Sequence, residues 1–134
     1  MIHSVIHNIC GKGDLRMCKG IGLDLCEIAR MDRHLSDERF LNRYFTDREI
    51  AYIRSRGKQA AQTLAGFFAA REALGKALGG GIDFNLKEAE ILHSDSGQPF
   101  YHLTGDLARR TAGDCFFLSI SHDGGIAAAV CIRE

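Results

Sequence analysis

The sequence has no excess of charge of either sign: 17 lysines and arginines balance 17 aspartates and glutamates across 134 residues. That balance excludes the one-signed field on which nucleic-acid or membrane-surface binding depends, so any charge recognition must be local. Long apolar runs are also missing. None approaches the ~18 residues of a spanning helix, and the opening MIHSVIHNIC lacks the basic start and sustained apolar stretch of a secretory signal. Paired-cysteine motifs are absent too. Cys10, Cys18, Cys26, Cys115 and Cys131 are odd in number, with no C-x-x-C and no histidine at zinc-finger spacing. They read as thiols of a reduced, cytoplasmic protein, most of them acting as small apolar side chains. No internal repeat, low-complexity tract or linker divides the chain, which has the length of one domain able to bury a single core.

What is present has clear local periods. Residues 1–17 carry none and read as a disordered extension, with Met17 the candidate translation start and residues 18–134 the domain. In CKGIGLDLCEI, residues 18–28, Ile21, Leu23 and Leu25 alternate with small or polar residues, the period of a half-buried strand from which Asp24 projects opposite to the leucines. A short helix is predicted over residues 29–43. Thr46-Asp47-Arg48-Glu49 is a capping box opening a helix to about residue 54, broken by Ser-Arg-Gly-Lys at 55–58. The clearest helix follows over residues 59–78, rich in alanine and leucine and ended by Gly79, Gly80 and Gly81. Strands are predicted at 86–93, 100–103, 116–121 and 126–132, with a short helix at 104–112. The pattern makes one α+β domain, an antiparallel sheet packed against a long central helix.

The chemistry-bearing residues are few. Asp24 lies in a strand segment preceded by glycine, where a ligand or another backbone can approach. Glu72 and Lys76 stand four residues apart, on one face of the long helix. Two carboxylates from separate elements suit Mg²⁺, which keeps waters and takes phosphate oxygens as further ligands. A lysine one turn away suits a second phosphate oxygen. The same residues also fit a bland reading: Glu72 and Lys76 as an exposed ion pair worth ~0.3–0.5 kcal/mol, and Asp24 as a strand terminator. The glycines at 79–81 offer backbone N–H groups to phosphate or simply a C-cap. His122 sits at a strand end before a Gly-Gly turn. Between residues 30 and 58 eight basic residues stand against five acidic ones, and Arg30 and Arg33 could dock an acidic helix of a partner.

Four stretches bear on these alternatives: GIGLDLCEIAR at 20–30, FFAAREALGKALGGGI at 67–82, SGQPF at 96–100 and SISHDGGIAAAVCIRE at 119–134. In this order and spacing they resemble the holo-acyl-carrier-protein synthases, a 4'-phosphopantetheinyl transferase family. The resemblance implies transfer of the phosphopantetheine arm of coenzyme A to a serine of acyl carrier protein, in support of fatty acid biosynthesis. It implies a Mg²⁺ site of Asp24 and Glu72, with these two and Lys76 as the catalytic set. Lys58, Lys76, Gly79, Gly81 and His122 would hold coenzyme A, Lys76 at its phosphates and His122 at the adenosine phosphate end. Arg30 and Arg33 would meet the carrier protein, and a homotrimer would place active sites between subunits. Three positions depart from the family pattern: Arg71 replaces the lysine of K-E-A, Phe67 replaces an arginine, and Gly80 replaces a threonine. An inactive coenzyme A or carrier-protein binding module is the alternative.

Overall fold

Gly20–Glu27 forms strand β1 of the computed structural model, which describes residues 17–134. The extension expected over residues 1–17 lies outside the described residues apart from Met17. The alternation in β1 is as expected, but the apolar face is not the core face. Ile21, Leu23 and Leu25 are 62%, 58% and 63% exposed, while Gly22 and Cys26 are buried. The cause is steric. A Cβ on Gly22 would lie 1.8 Å from the carbonyl oxygen of Ala73, and one on Gly20 2.0 Å from that of Ala77. Only the glycine face lets a helix come down onto the strand backbone.

Two helices, α1 (Ile28–Asp32) and α2 (Glu38–Tyr44), stand where one was predicted. The Asp37 carboxylate accepts from the amide of Phe40 at 3.1 Å and starts a new helix, which outweighs continuation of the first. Helix α3 (Asp47–Ser55) opens with both hydrogen bonds of the predicted capping box, between Thr46 and Glu49. Gly57 ends that segment with φ +58, and a single 3₁₀ turn leads into α4 (Ala60–Leu78). Gly79, at φ +92, is the left-handed residue that closes α4.

The second half contains β2 (Ala89–His93), β3 (Pro99–Leu103), α5 (Gly105–Arg110), β4 (Phe116–Asp123) and β5 (Ile126–Arg133). The strand predicted from residue 86 begins only at Ala89. Leu86–Glu88 is instead a 3₁₀ turn capped by Asn85, and the Glu88 carboxylate accepts the amides of Asp106 and Leu107 at the start of α5. Strands β1, β5 and β4 form one antiparallel sheet with β5 central; β2 and β3 form a second, two-stranded one. Helix α4 packs on the first sheet through small side chains, with Ala69, Ala70, Ala73 and Ala77 all at most 2% exposed. The domain is therefore α+β, an antiparallel sheet against one long helix.

The core holds Phe45, Leu64, Leu74, Ile91 and Leu107, together with one ion pair. Arg71 and Glu49 face each other there, 2% and 0% exposed along their side chains. Burying two charges is tolerable only when their hydrogen bonds are met. Glu49 also accepts from the amide of Ile91 at 3.0 Å and Arg71 Nε donates to the Leu86 carbonyl at 3.2 Å, so most of these bonds are met; Arg71 Nη1 alone of the pair's polar atoms has no partner among the described residues. Cys26 and Cys131 are buried free thiols, as the cysteine pattern implied. Cys115 departs from that reading, being disulfide-bonded.

Candidate active site

The contact between β1 and α4 brings together three of the residues singled out from the sequence. With no side chain on Gly20 or Gly22, the strand lies flush on the helix, and Asp24 reaches the turn that carries Glu72 and Lys76. Lys76 Nζ donates to the Leu23 carbonyl at 2.9 Å and stands 3.3 Å from Asp24 Oδ1. Glu72 is half-buried. Burial pushes its carboxyl above the usual range, the negative Asp24 pushes it further, and Lys76 opposes both. The pair of carboxylates is thus repulsive and partly desolvated, a state that a cation relieves. Among the described residues no group of three or more His, Cys, Asp or Glu side chains is placed for a metal. A cation at Asp24 and Glu72 would complete its shell from water and phosphate oxygens, which is how Mg²⁺ is commonly held.

A cavity of about 440 Å³ opens beside Glu72, walled by Met31, Phe40, Tyr44, Phe68 and Ile82, with Arg30 on its lining. The Arg30 guanidinium lies 6.0 Å over the Phe68 ring and donates to Cys26 Sγ at 3.6 Å. Arg33 is exposed at the C-cap of the same short helix and does not line the cavity.

His122 is elsewhere. It lines a second cleft of about 160 Å³ with Gly97 and Pro99 of the SGQPF stretch, on the side of α4 that carries Thr63 and Phe67. The register pairs Asp24 with Ala129 and Ala129 with Ile120, so β5 stands between the Asp24 and His122 edges of the sheet. Lys58 lies exposed on the 3₁₀ turn before α4 and lines neither cleft. The amides of Gly79 and Gly81 donate to the carbonyls of Lys76 and Gly75, both at 3.1 Å, so the glycine run acts as a C-cap and leaves neither amide free for phosphate.

Residues 20–131 match the family model described as the 4'-phosphopantetheinyl transferase superfamily. The chain belongs to that superfamily. It is 38% identical over 122 residues to a holo-[acyl-carrier-protein] synthase of Treponema denticola, spanning 88% of this chain and 99% of the relative. The crystal structure of the Neisseria meningitidis holo-[acyl-carrier-protein] synthase matches with a TM-score of 0.78 at 29% identity, covering 88% of this chain and 99% of that one. The Helicobacter pylori holo-[acyl-carrier-protein] synthase in complex with coenzyme A matches with a TM-score of 0.75 at 30% identity, over 85% and 99%.

Within this superfamily the positions that depart from the sequence pattern acquire structural meaning. Arg71 turns inward to Glu49 and the Phe45 ring, 4.7 Å from its guanidinium, and anchors the helical turn that bears Glu72. Phe67 is 2% exposed and packs against Tyr52 at 5.8 Å. Neither residue was singled out for a site from the sequence, and Arg71 carried no local mark of burial. The one available signal was Glu49 itself, the acid of a capping box three residues after Thr46. Its Oε1, which accepts the Thr46 amide, also accepts from Arg71, and its Oε2 accepts from the Ile91 amide.

Proposed function

We propose that this chain transfers the 4'-phosphopantetheine group from coenzyme A to a serine of apo acyl carrier protein, releasing adenosine 3',5'-bisphosphate. The observation that carries the reading is the meeting of Asp24, Glu72 and Lys76 at the β1–α4 contact, beside an apolar cavity large enough for the reacting arm. The serine oxygen bonds to the phosphorus that bears the pantetheine arm, the pyrophosphate P–O bond breaks, and the hydroxyl proton is lost. Negative charge accumulates on the leaving phosphate. Lys76 is positioned to neutralise it, its ammonium held in place by the Leu23 carbonyl and Asp24. Mg²⁺ held by Asp24 and Glu72 would add charge neutralisation at the pyrophosphate. Met31, Phe68 and their neighbours give the cavity an apolar wall beside Glu72.

The carrier protein would dock over that cavity, its acidic helix meeting Arg30 on the lining and Arg33 on the exposed end of α1. His122, in the second cleft, would take the adenosine phosphate end. The assembly we infer is a homotrimer with active sites between subunits. Two features support it. Ile21, Leu23 and Leu25 expose an apolar row beside Val130 and Ile132 on the same sheet face, a surface that calls for cover by another copy. Asp24, which meets Glu72 and Lys76 of α4, and His122 also lie on opposite edge strands of one sheet, so neighbouring copies could join them around one substrate. This activity would serve fatty acid biosynthesis in the cytoplasm. Among the described residues no helix is long and apolar enough to cross a membrane.

The test is mass spectrometry of apo acyl carrier protein after incubation with coenzyme A, Mg²⁺ and this protein. A gain of one phosphopantetheine arm supports the transferase. Coenzyme A binding with no gain identifies an inactive binding module instead.

A further inference from the structure

Helix α4 meets β1 through surfaces that do not interlock. Ala73 and Ala77 lie against Gly22 and Gly20, and residues that end at Cβ or before it raise no ridges to seat in grooves. Such a contact fixes how closely the helix approaches, and only weakly how it is turned about its own axis. Glu72 needs that turn fixed if it is to face Asp24, so directional bonds must supply it. One is the Tyr101 hydroxyl, which donates to the Ala70 carbonyl at 2.6 Å. Another comes from Arg71, the neighbour of Glu72 in the chain. Its Nη2 donates to Glu49 Oε1, and its Nε to the Leu86 carbonyl at 3.2 Å. Glu49 is a rigid acceptor, because it also takes the backbone amides of Thr46 and Ile91, both at 3.0 Å. Arg71, Glu72 and Leu86 all line the cavity of about 440 Å³. One guanidinium therefore ties the Glu72 turn to α3, to β2 and to another part of the cavity wall.

The pair is poorly built for stability alone. Arg71 Nη1 is buried with no hydrogen-bond partner among the described residues, and a buried ion pair with a donor left over does worse than apolar side chains of similar volume. What the guanidinium supplies instead is direction: a planar fork holds two acceptors at fixed angles, where an ammonium is a point charge on a flexible stem. Resting on the transferase reading, we propose that Arg71 is a positioning residue of the site: its bonds to Glu49 and to the Leu86 carbonyl set the turn of α4 that aims Glu72 at Asp24. Arg71 touches neither substrate nor reacting atoms in this role and acts through Glu72.

Removing both charges together separates position from stability. In the full chain, Arg71→Met combined with Glu49→Gln leaves no buried charge unpaired and keeps an acceptor for the capping box, so the protein should melt near the wild-type temperature. Its kcat for transfer to apo acyl carrier protein should nevertheless fall roughly ten- to hundredfold, the loss that a misplacement of about 1 Å produces, while KM for coenzyme A stays within about threefold. Arg71→Lys, which keeps a charge for Glu49 but loses the fork, should fall between wild type and the double variant. A folded double variant with wild-type kcat overturns the proposal. If the double variant does not fold, Arg71→Lys decides: wild-type kcat there overturns the proposal equally. Calorimetric titration with Mg²⁺ alone reads the placing of Glu72 beside Asp24 without turnover, and affinity should fall in the same order. If wild type transfers nothing, the transferase reading falls, and an ordered loss of Mg²⁺ affinity still upholds the role of Arg71. Equal Mg²⁺ affinity in all three proteins, or none in wild type, sinks it.

Discussion

A Cβ on Gly22 would stand 1.8 Å from the carbonyl oxygen of Ala73, closer than any non-bonded carbon can approach. The obstacle is helix backbone, not the flexible end of a side chain, so it cannot swing aside. Gly22→Ala should force β1 away from α4, with a cost at or above the ~1–3 kcal/mol of ordinary overpacking. Because Asp24 sits two residues along the same strand, transfer should fall with stability. Thermal denaturation and the carrier assay, run on the same protein, check both effects. Unchanged melting would contradict the contact.

Glu72 separates function from stability in the opposite sense. Its carboxyl is raised by burial and by Asp24, so the fold favours its protonated form. Stability from such a group is present below its ordinary pKa and lost as pH rises through the shifted one. At neutral pH Glu72→Gln should therefore melt at or above the wild-type temperature while transfer is abolished. Mg²⁺ should raise the melting temperature of wild type more than that of the variant. Calorimetry with and without the ion reads this directly.

Acid should weaken the fold through Glu90. Burial alone would raise its carboxyl, but hydrogen bonds from Arg48, Thr46 and His102 outweigh burial and hold it at about 2. The carboxylate thus contributes stability above its ordinary value near 4.5, and that contribution disappears as pH falls from there towards 2. Denaturant midpoints measured from pH 6 to pH 2.5 should drop through that window. Glu90→Gln should flatten the drop while lowering stability at neutral pH.

The exposed row of β1 predicts assembly. Leu23, 58% exposed, contributes no core packing to its own copy, so Leu23→Arg should leave the domain folded. Sedimentation should show trimers for wild type and monomers for the variant, with transfer lost because a neighbour no longer completes the site. A monomeric wild type with full activity would refute the shared site.

Much of the local structure was legible. Thr46 and Glu49 announce their helix because a capping box is satisfied within four residues, and Gly79 ends α4 because a left-handed residue is needed there. Asp24 opposite the leucines followed from strand period alone. The split of the helix predicted over residues 29–43 was missed because Asp37 competes as an N-cap, a preference close in energy to continuation. The late start of β2 was missed because Glu88 is used by α5, well along the chain.

The sequence by itself determined the element types, the α+β class and the pairing of Glu72 with Lys76 on one helix face, since periodicity, caps and i, i+4 spacing act within a few residues. Only the tertiary structure decided that the leucine face of β1 is left bare and the glycine face buried, that Arg71 points into the core towards Glu49, and that Arg56 rather than Lys58 stands in the cleft of His122. Each of those outcomes depends on which backbone or charge arrives from a distant segment. Such long-range encounters are governed by packing and desolvation across the whole domain, and no short window of residues contains them.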